Sequence, residues 1–135
     1  IEKNARFLEP RDLPETPEIT VIDVSFISVL KILPAVRKIM RSGEVLVLIK
    51  PQFEAGRRQV GKKGIIRNSQ VHQQVLEKVL KEISLVGFQV KGLLACSTRG
   101  QKGNQEFFAW LSPGEEAVSE EKINSLIKET LAHGR

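Results

Sequence analysis

Three charged residues, Asp23, Lys50 and Glu106, sit where apolar segments end or begin. Asp23 follows the β-branched run "EITVI". Lys50 closes the five apolar residues Val45 to Ile49 and is followed at once by Pro51. Glu106 opens "EFFAWL". An ammonium offers three donors and no acceptor, so beside carboxylates it can hold a hydroxyl in one orientation. Burial disfavours its charged form and a carboxylate neighbour restores it; in its neutral form it can accept a proton. The sequence therefore raises the question of whether the fold brings these three groups to one place.

The stretch beginning at Lys50 suggests a partner. Residues 50–67 hold Lys50, Arg57, Arg58, Lys62, Lys63 and Arg67 against the single acid Glu54, a net charge of +5. The whole chain carries +5, so the remainder is neutral and the excess is confined to this stretch. A solvated charge run is the plain explanation, but positive charge concentrated beside a strand tip suits a polyanion, nucleic acid foremost. Gly56, Gly61 and Gly64 let the loop bend close to a backbone, and Arg57, Arg58, Lys62, Lys63 and Arg67 are the candidate RNA-binding residues. With six phenylalanines, one tryptophan and no tyrosine, recognition of a folded RNA by shape fits better than base stacking along a single strand.

The elements that must position these residues emerge from periodicity. "EITVIDVSF" reads as a strand ending near Asp23. Ser28 caps a helix through "SVLKILPAVRKIM", with Leu30, Leu33, Val36, Ile39 and Met40 on one face, and Pro34 implies a late start or a kink. "SG" at 42–43 ends it. "EVLVLIK" is apolar on both faces, as in a parallel sheet. Asn68 or Ser69 then caps "QVHQQVLEKVLKEISLVG", whose apolar positions keep helical spacing until Gly87. "FQVKGLLACS" and "EFFAWLS" are two further strands, and "SEEKINSLIKETLAHGR" is a terminal helix. Alternation of strand and helix builds an open, mostly parallel sheet. The last two strands are joined too closely for a crossover, so the final one runs antiparallel. That reversal brings Glu106 to the carboxyl edge where Asp23 and Lys50 lie, which is where open α/β sheets gather their chemistry.

The segments "VIDVSFISVLKILPA", "LIKPQFEAGRRQVGKKGIIR" and "KGNQEFFAWL" resemble the TlyA, or hemolysin A-like, family of ribosomal RNA 2′-O-methyltransferases, relatives of the FtsJ type. The resemblance runs from residue 4 to about residue 111. It implies the carboxyl-terminal half of a Rossmann-like, class I S-adenosylmethionine-dependent methyltransferase, a three-layer α/β/α fold. Residues 1–135 would form the carboxyl-terminal part of the FtsJ-like domain, without the family's amino-terminal S4-type RNA-binding domain and glycine-rich cofactor loop. The family uses a Lys-Asp-Lys-Glu tetrad around the reacting ribose. By motif, Asp23, Lys50 and Glu106 are its last three members, and the first lysine lies upstream of the matched residues. Asp23, Ser25 and Phe26 would face S-adenosylmethionine; Phe26 as a plain core aromatic is the alternative. The implied partners are ribosomal RNA and ribosomal subunits, with no metal. A non-catalytic RNA-binding protein of the same fold is the competing reading, although phosphate binding alone would not require Asp23 and Glu106.

Other features bound the class. Apolar residues make up 41% and charged residues 27%, the composition of a folded globular chain. One cysteine, Cys96, excludes an internal disulfide and points to a reducing, cytoplasmic setting. The longest apolar run is far shorter than a membrane span, and no helix combines a broad apolar face with a cationic one, which argues against membrane lysis. Cys96, His72, His133 and Trp110 read as structural.

Overall fold

The computed structural model describes residues 4–56, 60, 64–99 and 103–133; Arg57, Arg58, Lys62 and Lys63 of the basic loop lie outside the described residues. Its four strands are β1 (Ile19–Ile22), β2 (Glu44–Ile49), β3 (Phe88–Ala95) and β4 (Phe107–Pro113), and its helices are α1 (Leu33–Ile39), α2 (Pro51–Glu54), α3 (Ser69–Val86) and α4 (Glu120–His133). The sheet order is β1-β2-β4-β3. β1 and β2 are parallel, while β4 is antiparallel to both β2 and β3. Three of the four strands thus share a direction. The reversed strand lies between two of the others instead of at an edge.

Local chemistry explains the element boundaries. Ser28 accepts a hydrogen bond from the Leu30 N–H and starts a 3₁₀ turn at Val29–Lys31; the α-helix begins only at Leu33, with Pro34 in its first turn. Pro34 has no N–H to give and its fixed φ suits a helix start, so the late-start alternative is the one observed. The helix stops at Ile39, before Ser42 and Gly43. Asn68 caps α3 by accepting from the Gln70 N–H at 2.8 Å. Gly87 ends it at φ +107°, its N–H donating to the Ile83 and Ser84 carbonyls. Pro51 does more than terminate β2: it opens α2, a single helical turn where the sequence alone suggests loop.

Inward strand positions (Val45, Val47 and Ile49 on β2; Phe107, Ala109 and Leu111 on β4) join Leu33, Val36, Leu76, Val79, Leu80, Ile83, Ile123 and Ile127 in one buried cluster. The outward positions Val21, Leu46, Leu94, Phe108 and Trp110 are exposed. Among the described residues the helices therefore cover one face, and the expected third layer is not seen. Topology accounts for this. The parallel strands advance β1, β2, β3 in a single direction across the sheet, so right-handed crossovers deliver α1 and α3 to the same side, and α4 packs against α3 and β3 there.

Candidate active site

β1 and β2 end side by side, and the register pairs Ile22 with Val47. Asp23 and Lys50 thus leave the sheet at the same edge. Lys50 Nζ lies 2.6 Å from Asp23 Oδ1 and donates to Ser25 Oγ at 3.0 Å. The lysine side chain is 12% exposed and the aspartate 61%, so the pair spans the boundary between core and solvent. On the other side of β2, Ile49 pairs with Phe107, which sets Glu106 at the same rim, one residue ahead of β4. Three charged groups from three strands converge there, as the antiparallel sense of the last strand requires.

Glu106 is buried, and its side-chain partner is Gln52: Gln52 Nε2 donates to Glu106 Oε2 at 2.8 Å. Among the described residues it forms no ion pair with Lys50. Being buried, it is not an exposed edge charge. Phe26 also departs from the core alternative. Its ring is 82% exposed, and its backbone sits at φ +64°, a left-handed conformation that a non-glycine residue adopts at a cost of roughly 1–3 kcal/mol. Ser25 and Phe26 both lie in the turn after Asp23. Arg67, the one candidate RNA-binding residue among those described, is exposed just before α3.

The block "KPQFE" owes its spacing to α2. Helical projection of one turn sends Lys50 to Asp23 and Ser25, Gln52 to Glu106, and Phe53 to Phe26, ring centroids 4.9 Å apart. Glu54 turns inward. Its carboxylate accepts from Ser28 Oγ at 2.6 Å and from Val29 N–H at 2.8 Å. Burial pushes the Glu54 carboxyl above the usual carboxylate range, against the hydrogen bonds from Ser28 and Val29 and the Lys78 charge, which pull it down. Residues 50–54 and 23–29 are consequently latched at three points. Sequence reasoning gives a role to Lys50 alone. A clue is available: a proline directly after a strand commonly opens a helical turn and so predicts side chains projecting in several directions.

The motif "GNQEF" is similarly divided. Asn104 accepts from the Ile66 N–H at 2.9 Å and donates to the Gly64 carbonyl at 2.8 Å, fastening the end of the basic loop to the start of β4. Gln105 donates to the Cys96 and Glu106 carbonyls, both at 2.9 Å. Cys96 is half-buried beside this strand entry; burial, and then the Glu106 charge, push its thiol up, in keeping with a structural reading. Among the described residues, no helix is long and apolar enough to cross a membrane.

Comparison with known proteins decides the kinship. The model of the FtsJ-like methyltransferase family matches residues 1–112. The chain belongs to the FtsJ-like methyltransferase family. It is 41% identical to the candidate rRNA methyltransferase YqxC of Bacillus subtilis, covering 93% of this chain and 47% of that protein. It is 32% identical to the 16S/23S rRNA (cytidine-2′-O)-methyltransferase TlyA of Mycobacterium tuberculosis, covering 97% of this chain and 50% of that one. A solved structure of a candidate hemolysin from Streptococcus thermophilus superposes with a TM-score of 0.91 at 43% identity, over 98% of this chain and 48% of the other. The chain spans about half the length of the curated relatives it matches. The resemblance drawn from the three sequence motifs is thus shown, and the α/β class with it.

Proposed function

We propose that the protein takes part in S-adenosylmethionine-dependent methylation of a ribose 2′-hydroxyl in ribosomal RNA, with Asp23, Lys50 and Glu106 at the reacting centre. The observation that carries this reading is the Lys50–Asp23 contact of 2.6 Å at the carboxyl edge of the sheet. Membership of the FtsJ-like family supports it.

The residues present fit the cofactor. An exposed carboxylate, Asp23, stands three positions from an exposed ring, Phe26, held out by a left-handed backbone. That combination suits a ligand bearing both positive charge and an aromatic base. When bound, S-adenosylmethionine supplies an electrophilic methyl group on a sulfonium. Asp23, Ser25 and Phe26 would hold it.

The protein's own groups handle the acceptor. Two of the three Lys50 N–H bonds are spent on Asp23 and Ser25, and the third remains for a hydroxyl oxygen. Holding that oxygen in one orientation towards the bound cofactor would supply much of the rate. The hydroxyl proton would leave to a basic group at the rim or to water, while Asp23 keeps the Lys50 ammonium in place. Glu106, braced by Gln52, lies on the ribose side.

Methyl transfer to ribosomal RNA, read as 2′-O-methylnucleosides by mass spectrometry after digestion, tests the reading. Lys50→Ala should lower the rate by about 10²-fold or more while RNA affinity persists. Full activity in Lys50→Ala, or methylation of a base in place of the ribose, would defeat it. RNA binding by the wild type without methyl product would favour the non-catalytic alternative.

A further inference from the structure

A cavity of about 560 Å³ opens where α3 begins, bounded by Arg67, Ser69, His72, Arg99, Gln105 and Phe107 among others. No carboxylate among the described residues lines it. Among the described residues neither arginine is engaged in an ion pair, so two uncompensated guanidinium groups flank the opening. The first turn of α3 supplies a free donor. Gln70 N–H is taken by the Asn68 side chain, and the Val71 and His72 N–H groups by the Asn68 carbonyl, at 2.8, 3.1 and 3.2 Å. That leaves the Ser69 N–H and hydroxyl at the positive end of an 18-residue helix.

The wall adds an independent sign of a ligand. His72 is only 8% exposed, and its Nε2 is buried with no hydrogen-bond partner. The ring is held by a hydrogen bond to the Ile66 backbone and by edge contact with Phe107 at 5.8 Å. Because the Ile66 N–H already goes to Asn104, the ring's partner is the Ile66 carbonyl and Nδ1 is its donor. With Nδ1 as its donor, the neutral ring presents Nε2 as an acceptor; a phosphate oxygen completes it only when the ring is protonated, which an adjacent anion favours.

We infer that this cavity seats a phosphate group of the nucleic-acid backbone, held by Arg67, Arg99 and Ser69. It is a contact separate from the catalytic rim. Gln105 and Phe107 line it while Glu106, between them in sequence, meets Gln52 at the rim, so the cavity and the site lie on either side of the entry to β4. An RNA strand crossing that entry would have a ribose on one side and a phosphate on the other. The inference rests on the proposal that RNA is the partner, and it adds Arg99 to the residues that hold it.

Titration with inorganic phosphate, against chloride at matched ionic strength, tests it by NMR. The Ser69 amide and His72 ring signals should shift saturably, and a short fluorescent RNA hairpin should compete. In Arg67→Ala/Arg99→Ala, RNA affinity should fall about tenfold or more at low salt, with a salt slope shallower by about 0.7–0.9, while Lys38→Ala on the exposed face of α1 changes neither. Absence of the phosphate shifts, or a double variant that binds RNA as Lys38→Ala does, overturns the inference. Saturable phosphate binding that the hairpin does not displace would mark a free-phosphate site and overturn the nucleic-acid assignment. A wild type that binds RNA through this cavity yet transfers no methyl group supports the inference and defeats the catalytic reading alone.

Discussion

Glu54→Ala isolates the latch between the two halves of the rim. The buried carboxylate accepts two hydrogen bonds, from Ser28 Oγ at 2.6 Å and Val29 N–H at 2.8 Å. Each such bond to a charged acceptor contributes about 1.5–3 kcal/mol. Part of that is offset by the cost of keeping a carboxylate out of water, the same cost that raises the Glu54 carboxyl. Ser28 keeps its contact with Leu30 N–H in the variant, whereas Val29 N–H is left buried and unpaired. The net loss is about 2–3 kcal/mol, or roughly 10 °C in Tm for a domain of this size. Urea denaturation followed by far-UV circular dichroism measures it. Glu54→Gln preserves shape and one acceptor, and should lose less. The raised carboxyl also sets a sign. Relative to Glu54→Gln, the wild type should gain stability as pH falls through the folded-state pKa towards 4.5, and lose that gain as pH rises. Glu54→Ala unfolding within about 0.5 kcal/mol of wild type would refute the reasoning, because such a result would describe an exposed, unlatched carboxylate.

Two further outcomes are open to measurement. Gly43 has φ +95°, and a Cβ there would collide with the Glu18 carbonyl oxygen; Gly43→Ala should cost about 3 kcal/mol by the same urea assay, and a change near zero would contradict the observed turn. His72 is held neutral, first by burial, with the Arg99 charge pulling the same way against the Ile66 hydrogen bond. Its contribution is therefore present above pH 6.5 and lost as pH falls through the lowered folded-state value, so stability should decline on acidification less steeply in His72→Gln than in wild type. Parallel pH profiles would show that His72 does not titrate as described.

Legibility in the sequence tracked the range of the interactions. Element order, the parallel pairing of β1 and β2 and the reversed sense of β4 were readable, because hydrophobic period and loop length are local properties. The convergence of Asp23, Lys50 and Glu106 on one rim came from those directions alone. Position within the sheet did not: nothing in "EFFAWLS" says that β4 inserts between β2 and β3. Gln52, Phe53, Glu54 and Asn104 went unassigned because their partners lie 25 to 54 residues away, at distances no periodicity encodes. Phe26 by residue type alone reads more readily as core than as ligand-facing, since its left-handed backbone leaves no mark on its residue type.

The latch between residues 23–29 and 50–54 has a consequence for how the protein changes over time. Lys50, Phe53 and Glu54 each grip a different point of the facing turn, so no point can be released while the other two stay in place without stretching a short segment of chain. The two segments behave as one mechanical part, and substitutions within them should be non-additive across the gap. A favourable change on one side then depends on which residue already stands opposite, so drift in this corner of the fold would proceed by paired replacements, with either motif alone a poor guide to whether the site is intact.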